Sequence, residues 1–98
     1  MRSIIQPEKD FCYICSNVYQ KYYNQELEEH HIFGGPDRTN SERHGLKVYL
    51  CRSHHREGPE AAHQNRITNL WLKERAQRIF EEKHSREEFV EIFKKNYL

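Results

Sequence analysis

Cys12 and Cys15 form a C-x-x-C pair near the start of this 98-residue chain, and Cys51 and His54 form a C-x-x-H pair well downstream. Each spacing lets two side chains converge on one tetrahedral ion. Two such pairs complete a closed site with zinc–sulfur distances near 2.3 Å and zinc–nitrogen distances near 2.0 Å. The competing reading is that the cysteines are small buried hydrophobes, a common fate of free cysteine. Two matching pairs favour a structural zinc.

A second set of imidazoles surrounds the first. His30 and His31 are adjacent, and so are His54 and His55. Neutral imidazole is the commonest metal ligand and titrates nearest neutrality. Adjacent residues on a strand point to opposite faces, so His30 and His31 cannot both ligate one ion without strain. The division expected is that His30 joins His55 on a second, divalent cation while His31 approaches from the other side and polarises a water. The bland alternative leaves these histidines on the surface.

The elements that must position these groups can be read in outline. Residues 11–23 read as a cysteine knuckle followed by a short extended or hairpin stretch. Residues 27–33 read as a strand, ended by Gly34-Gly35-Pro36-Asp37, where glycine admits positive φ and proline supplies no ladder donor. The wholly polar stretch from Arg38 to His44 reads as a loop, and Leu46–Leu50 alternates as a second strand. Arg52 to Arg56 begins a short helix broken by Gly58-Pro59.

From Asn65 onward the pattern is helical, with Leu72, Ala76, Ile79 and Phe80 on one face and Ile67, Leu70 and Trp71 in another sector. Ser85 and Glu88 have the form of a capping box. The last helix aligns Phe89, Ile92, Phe93 and Tyr97, with Lys94 and Lys95 at its negative end. That stripe is read as core, and the two helices as a hairpin closing over the first part.

Composition agrees with a stapled domain. A hydrophobic content of 36% and a mean hydropathy of −1.08 allow only a thin core, and short polar chains often need a metal or disulfide. Three cysteines cannot all pair with one another, and Met1–Glu8 lacks the apolar core of a secretory signal. The expectation is a reduced, cytoplasmic setting with thiols as ligands. No run approaches the roughly 20 apolar residues that cross a bilayer, so no membrane partner is expected. The net charge is +1, yet residues 31–66 carry six basic and four acidic groups. That excess weakly favours phosphate contact, and a solvated mixed face explains it equally well.

Taken in order, C-x-x-C, His30-His31-Ile32, a polar loop, an apolar second strand and Cys51-Arg52-Ser53-His54-His55 resemble the HNH endonucleases, specifically the small zinc-containing type common in bacteriophages. The resemblance spans roughly residues 12–65. It implies a zinc-stapled ββα-metal core; with the helical pattern beyond it, which the resemblance does not cover, the expectation is an α+β fold with the core in residues 1–65 and a helical extension, residues 66–98, packed on it. The resemblance further assigns roles to single residues. It implies His31 as general base toward the attacking water, and His30 and His55 as ligands of a catalytic divalent ion (Mg²⁺, Mn²⁺, Ni²⁺ or Zn²⁺). His63 matches a further ligand position at a longer offset. The middle Asn of the motif, which braces the loop and orients the base, is replaced here by Gly45. Asn40, Ser41 and His44 are the polar residues available to take its place.

The function expected is metal-assisted hydrolysis of DNA phosphodiester bonds, with Arg38, Arg43, Lys47, Arg52 and Arg56 meeting phosphates without reading sequence. A phage-encoded chain would act in the host cytoplasm, as a monomer or weak dimer, beside DNA and a packaging or recombination protein. The alternative is a zinc-stapled module that binds DNA or protein without catalysis. A plain two-finger zinc module fits less well, because it needs H-x₃₋₅-H and the histidines here are adjacent.

Overall fold

Glu28–His31 (β1) and Lys47–Leu50 (β2) pair antiparallel in the computed structural model, which describes residues 1–98. The register sets Glu28 against Leu50, Glu29 against Tyr49, His30 against Val48 and His31 against Lys47. The strand expected over 27–33 is shorter because Ile32, after one more ladder bond to Leu46 O (3.1 Å), turns with Phe33 into the core. The outer edge of β2 is covered by the first residues of the chain. Ile4 N donates to Gly45 O (3.0 Å), Ser3 Oγ to Lys47 O (2.5 Å) and Tyr49 N to Gln6 Oε1 (2.8 Å). An open strand edge is thereby closed off.

Two stretches differ from the sequence reading. Tyr13–Tyr19 is a helix, α1, where an extended stretch was expected after the knuckle. The Cys12 sulfur caps it, accepting from Cys15 N at 3.5 Å, so the C-x-x-C pair is itself the helix start. Arg38–His44 is a second helix, α2, in place of the expected loop. It lacks apolar periodicity, which hid it, but it is bracketed by Pro36 in the preceding single turn Gly35–Asp37 and by Gly45 just past its end. Gly45 sits at φ +67°, and Leu46 N returns to Ser41 O at 2.8 Å while Gly45 N returns to Glu42 O at 3.3 Å. This is the double return bond of a Schellman end, which satisfies the last carbonyls. A Cβ on Gly45 would meet Arg2 O at 2.5 Å, so glycine is also required for the N-terminal segment to pass.

The remaining helices are Arg66–Phe80 (α3) and Arg86–Phe93 (α4). Asn65 caps α3 by accepting from Thr68 N at 3.1 Å, and the Ser85–Glu88 capping box is formed in both directions. Leu72, Ala76 and Phe80 of α3 are buried with Phe89 and Phe93 of α4, while Ile67 is 79% exposed. Phe33, delivered by the end of β1, lies among them, with ring centroids 4.4 Å from Phe93, 5.6 Å from Phe89 and 5.5 Å from Tyr97. Tyr97 joins this stripe although Lys94, at φ +63°, has already ended the helix. One core thus runs from Cys12 and Leu50 through Phe33 to Phe93. No helix is long and apolar enough to cross a membrane.

Candidate metal centres

Cys12 and Cys15 arrive on the first turn of α1, and Cys51 and His54 arrive where β2 runs into the helical turn Ser53–Glu57. That turn is of π type, closed by Gly58 N donating to Ser53 O at 2.8 Å. His54 Nδ1 lies 3.7 Å from Cys12 Sγ, 3.3 Å from Cys15 Sγ and 3.5 Å from Cys51 Sγ, and Cys15 Sγ lies 3.9 Å from Cys51 Sγ. A tetrahedron built on ordinary zinc bond lengths has edges of about 3.6 Å (N···S) and about 3.8 Å (S···S). These four edges lie close to those a zinc ion requires, and all four atoms lie within 4.8 Å of one another. A disulfide is excluded by the same spacing, since bonded sulfurs lie about 2.05 Å apart.

Electrostatics agree. Burial pushes the Cys15 thiol up to about 12, and the neighbouring Cys12 and Cys51 sulfurs push in the same direction. Thiols packed together in this way give up their protons only where a cation compensates the charge. Burial lowers His54, which keeps its imidazole neutral and able to offer a lone pair. The Tyr19 ring stacks on His54, centroids 5.7 Å apart and planes within 9°, and covers one side of the cluster. These four residues could hold a metal such as zinc.

A second group forms on the far side of the same turn. Consecutive side chains on a helical turn splay by roughly a quarter turn or slightly more, so His55 leaves His54 with the sulfurs and meets His30 and His63 instead. His55 Nε2 and His63 Nε2 are 3.1 Å apart. His30 packs edge-on against both, with centroids 5.2 and 5.1 Å away. His63 is brought in because His63 N donates back to His55 O at 3.1 Å and Ala62 N to His54 O at 2.7 Å, which folds the Gly58-Pro59 turn onto the helix before it.

His30 Nε2 is the one buried side-chain nitrogen or oxygen that lacks a hydrogen-bond partner. Leaving such an atom unpaired costs about 1–3 kcal/mol. Burial first, and His55 and His63 second, push His30 down to about 3, so its lone pair is held free of a proton. His55 Nδ1–H donates to Glu28 Oε1 at 2.7 Å, which turns the His55 Nε2 lone pair inward. An orphaned nitrogen beside two convergent imidazoles, one of them braced by a carboxylate, fits a divalent cation.

His31 points to the other face of β1, as adjacent strand residues must, and its side chain is 9% exposed. Its Nε2–H donates to Glu42 Oε1 at 2.8 Å, and Arg38 Nε donates to its Nδ1 at 3.4 Å. Glu29, His31 and Glu42 also cluster closely enough to suggest a third cation. Lys47 fills that role: its ammonium lies 2.9 Å from Glu42 Oε1 and 3.3 Å from Glu29 Oε2. Lys47, expected to meet phosphate, is thus 8% exposed and turned inward, because register places it opposite His31 over two carboxylates.

A polar cleft of about 300 Å³ is lined by His30, His31, His55, His63, Arg38 and Arg56 together with three neighbours. Of the basic residues expected to meet phosphate, Arg38 and Arg56 line this cleft beside the imidazoles. Arg52 is exposed on the adjoining surface, next to Glu28 and Cys51. Arg43 lies away from the cleft, beside His44 and Phe80. Of the three residues considered as substitutes for the missing Asn, Ser41 is fully buried and accepts from Phe33 N at 2.9 Å, tying α2 to the end of β1. His44 packs against the Phe80 ring instead.

Sequence reasoning did not single out Glu28 or Glu42. Their alternation with His30 and their place on α2 become meaningful only when strand and helix are docked. Comparison with protein-family models, curated proteins and solved structures returns no match for this chain.

Proposed function

We propose that this chain is a metal-dependent endonuclease of the HNH type that hydrolyses DNA phosphodiester bonds. The observation that carries the reading is the convergence of His30, His55 and His63 around an unpartnered buried nitrogen, in a cleft that His31 also lines. In this reading the three imidazoles hold a divalent ion, Mg²⁺, Mn²⁺, Ni²⁺ or Zn²⁺, and Cys12, Cys15, Cys51 and His54 hold a structural zinc. When bound, the divalent ion supplies Lewis-acid stabilisation of charge on the phosphoryl and leaving oxygens.

The chain's own residues do the rest. His31 takes a proton from water as the water oxygen bonds to phosphorus and the bond to the 3′-oxygen breaks. The phosphate stays on the 5′ end, and the 3′-oxygen is protonated from solvent and leaves as a hydroxyl. Such general-base help is worth about 10²–10⁴-fold. Arg38 and Arg56 at the cleft rim pair with flanking phosphates, which positions DNA without reading its sequence. A phage-encoded chain of this kind would work in the host cytoplasm.

The test is cleavage of supercoiled plasmid by the purified chain with Mg²⁺, Mn²⁺ or Ni²⁺, beside His31→Ala treated identically. Metal-dependent nicking that disappears in His31→Ala supports the nuclease. A folded wild-type chain that holds zinc and binds DNA but nicks with no ion supports the non-catalytic module instead.

A further inference from the structure

The imidazole of His31 is held at both nitrogens by groups of opposite character. Glu42 Oε1 can only accept, and it lies 2.8 Å from Nε2. Arg38 Nε can only donate, and it lies 3.4 Å from Nδ1. Both contacts are satisfied together by one neutral tautomer, with the proton on Nε2 and the lone pair on Nδ1. The Nδ1 edge is the one turned toward Arg38, which lines the cleft with His31.

We propose that Glu42 is the positioning residue for His31, holding its proton on Nε2 so that Nδ1, released when Arg38 turns to a phosphate, is the atom that receives the proton of the attacking water. The catalytic meaning of this inference rests on the nuclease reading. The placement of the proton does not.

Glu42 is itself fixed from two sides. Lys47 grips both its oxygens, at 2.9 and 3.2 Å, from the strand position directly opposite His31. The Met1 amino group reaches the same carboxylate. Its backbone is set by the Schellman end of α2, where Gly45 N returns to Glu42 O. The Met1 amino group first, then His31 and Lys47, hold the Glu42 carboxyl well below the usual carboxylate range, so it remains an obligate acceptor. Ser41, one residue earlier, fastens the backbone of α2 to Phe33. Adjacent residues of α2 thus divide two tasks, Ser41 bracing the main chain and Glu42 orienting the base.

The experiment is ¹⁵N NMR of histidine-labelled, zinc-loaded protein at mildly alkaline pH, with the His31 resonances assigned by their loss in His31→Ala. The wild type is expected to show Nε2 protonated and Nδ1 unprotonated. Glu42→Gln should keep that tautomer, since its amide oxygen still accepts. Glu42→Ala should give a mixture of tautomers and lower the plasmid-nicking kcat about 10–100-fold, the usual range for loss of an orienting partner, with DNA affinity unchanged. A wild-type His31 protonated on Nδ1, or an unaltered Nε2–H tautomer in Glu42→Ala, would overturn the inference. If Glu42→Ala does not fold, the wild-type and Glu42→Gln spectra decide. A wild type that never nicks DNA but shows the expected tautomers removes the nuclease reading and leaves the positioning role standing.

Discussion

His55 donates its Nδ1 proton to Glu28 across the gap between the π turn and β1, at 2.7 Å, and this one bond decides which nitrogen of His55 faces His30 and His63. A carboxylate behind a ligating imidazole fixes the ring and raises its basicity. Arg56 in turn approaches the same Glu28 oxygen at 3.4 Å, so the cleft rim and the ligand cluster share an anchor.

Glu28→Gln should therefore weaken Ni²⁺ or Mn²⁺ binding at the histidine cluster about 10–100-fold without releasing the ion held by the cysteines. Calorimetric titration of zinc-loaded protein, wild type beside variant, reads this directly. Equal affinities would remove Glu28 from the site.

Removal of the cysteine-bound metal should unfold the chain rather than merely silence it. Apparent zinc affinities of such sites amount to about 10–16 kcal/mol and are folding free energy. Elemental analysis should find one fewer tightly held zinc per chain in Cys15→Ser than in the wild type. Circular dichroism of that variant, or of wild type with a strong chelator, should show lost helix. A chelated chain that keeps its full melting transition would contradict this.

The α4 cap offers a prediction independent of any metal ligand. Ser85→Ala should cost about 1 kcal/mol, a fall in Tm of roughly 4–8 °C for a domain of this size. The Ser85 backbone N–H is the first cause holding the Glu88 carboxyl below its ordinary value of 4.5. Its charged form is favoured by folding, so its stabilisation is present above that value and is lost as pH falls below it. The Tm gap between wild type and Glu88→Gln should shrink as pH falls below 4.5.

DNA contact should separate the arginines by position. Arg38→Ala and Arg56→Ala should each reduce the salt dependence of DNA binding by about one phosphate contact, a slope change near 0.9. Arg43→Ala, beside His44 and Phe80, should leave the slope unchanged. Fluorescence anisotropy across a salt series makes the comparison, and equal effects from all three would place the DNA elsewhere.

Features carried by local spacing were legible before folding. Cys12-x-x-Cys15 and Cys51-x-x-His54 converge because three residues span one turn, and the Ser85–Glu88 box and the Phe89–Phe93 stripe follow from the same helical period. The opposite faces of His30 and His31 follow from the strand period of two. The helix α2 was not legible by hydrophobic pattern, since its seven residues are all polar, although Pro36 and Gly45 mark its ends.

What the sequence determined by itself is thus the ligand pairs, the strands that carry His30 and Lys47, and the apolar stripe that becomes the core. Tertiary structure decided which groups meet. It brought His63 onto His55 across the Gly58-Pro59 turn, set Glu28 behind His55 and Glu42 behind His31, and turned Lys47 inward between two carboxylates. These contacts join residues from 5 to 27 positions apart. Backbone periodicity acts over single turns and adjacent residues, whereas such contacts depend on how strand, helix and turn dock around a shared core.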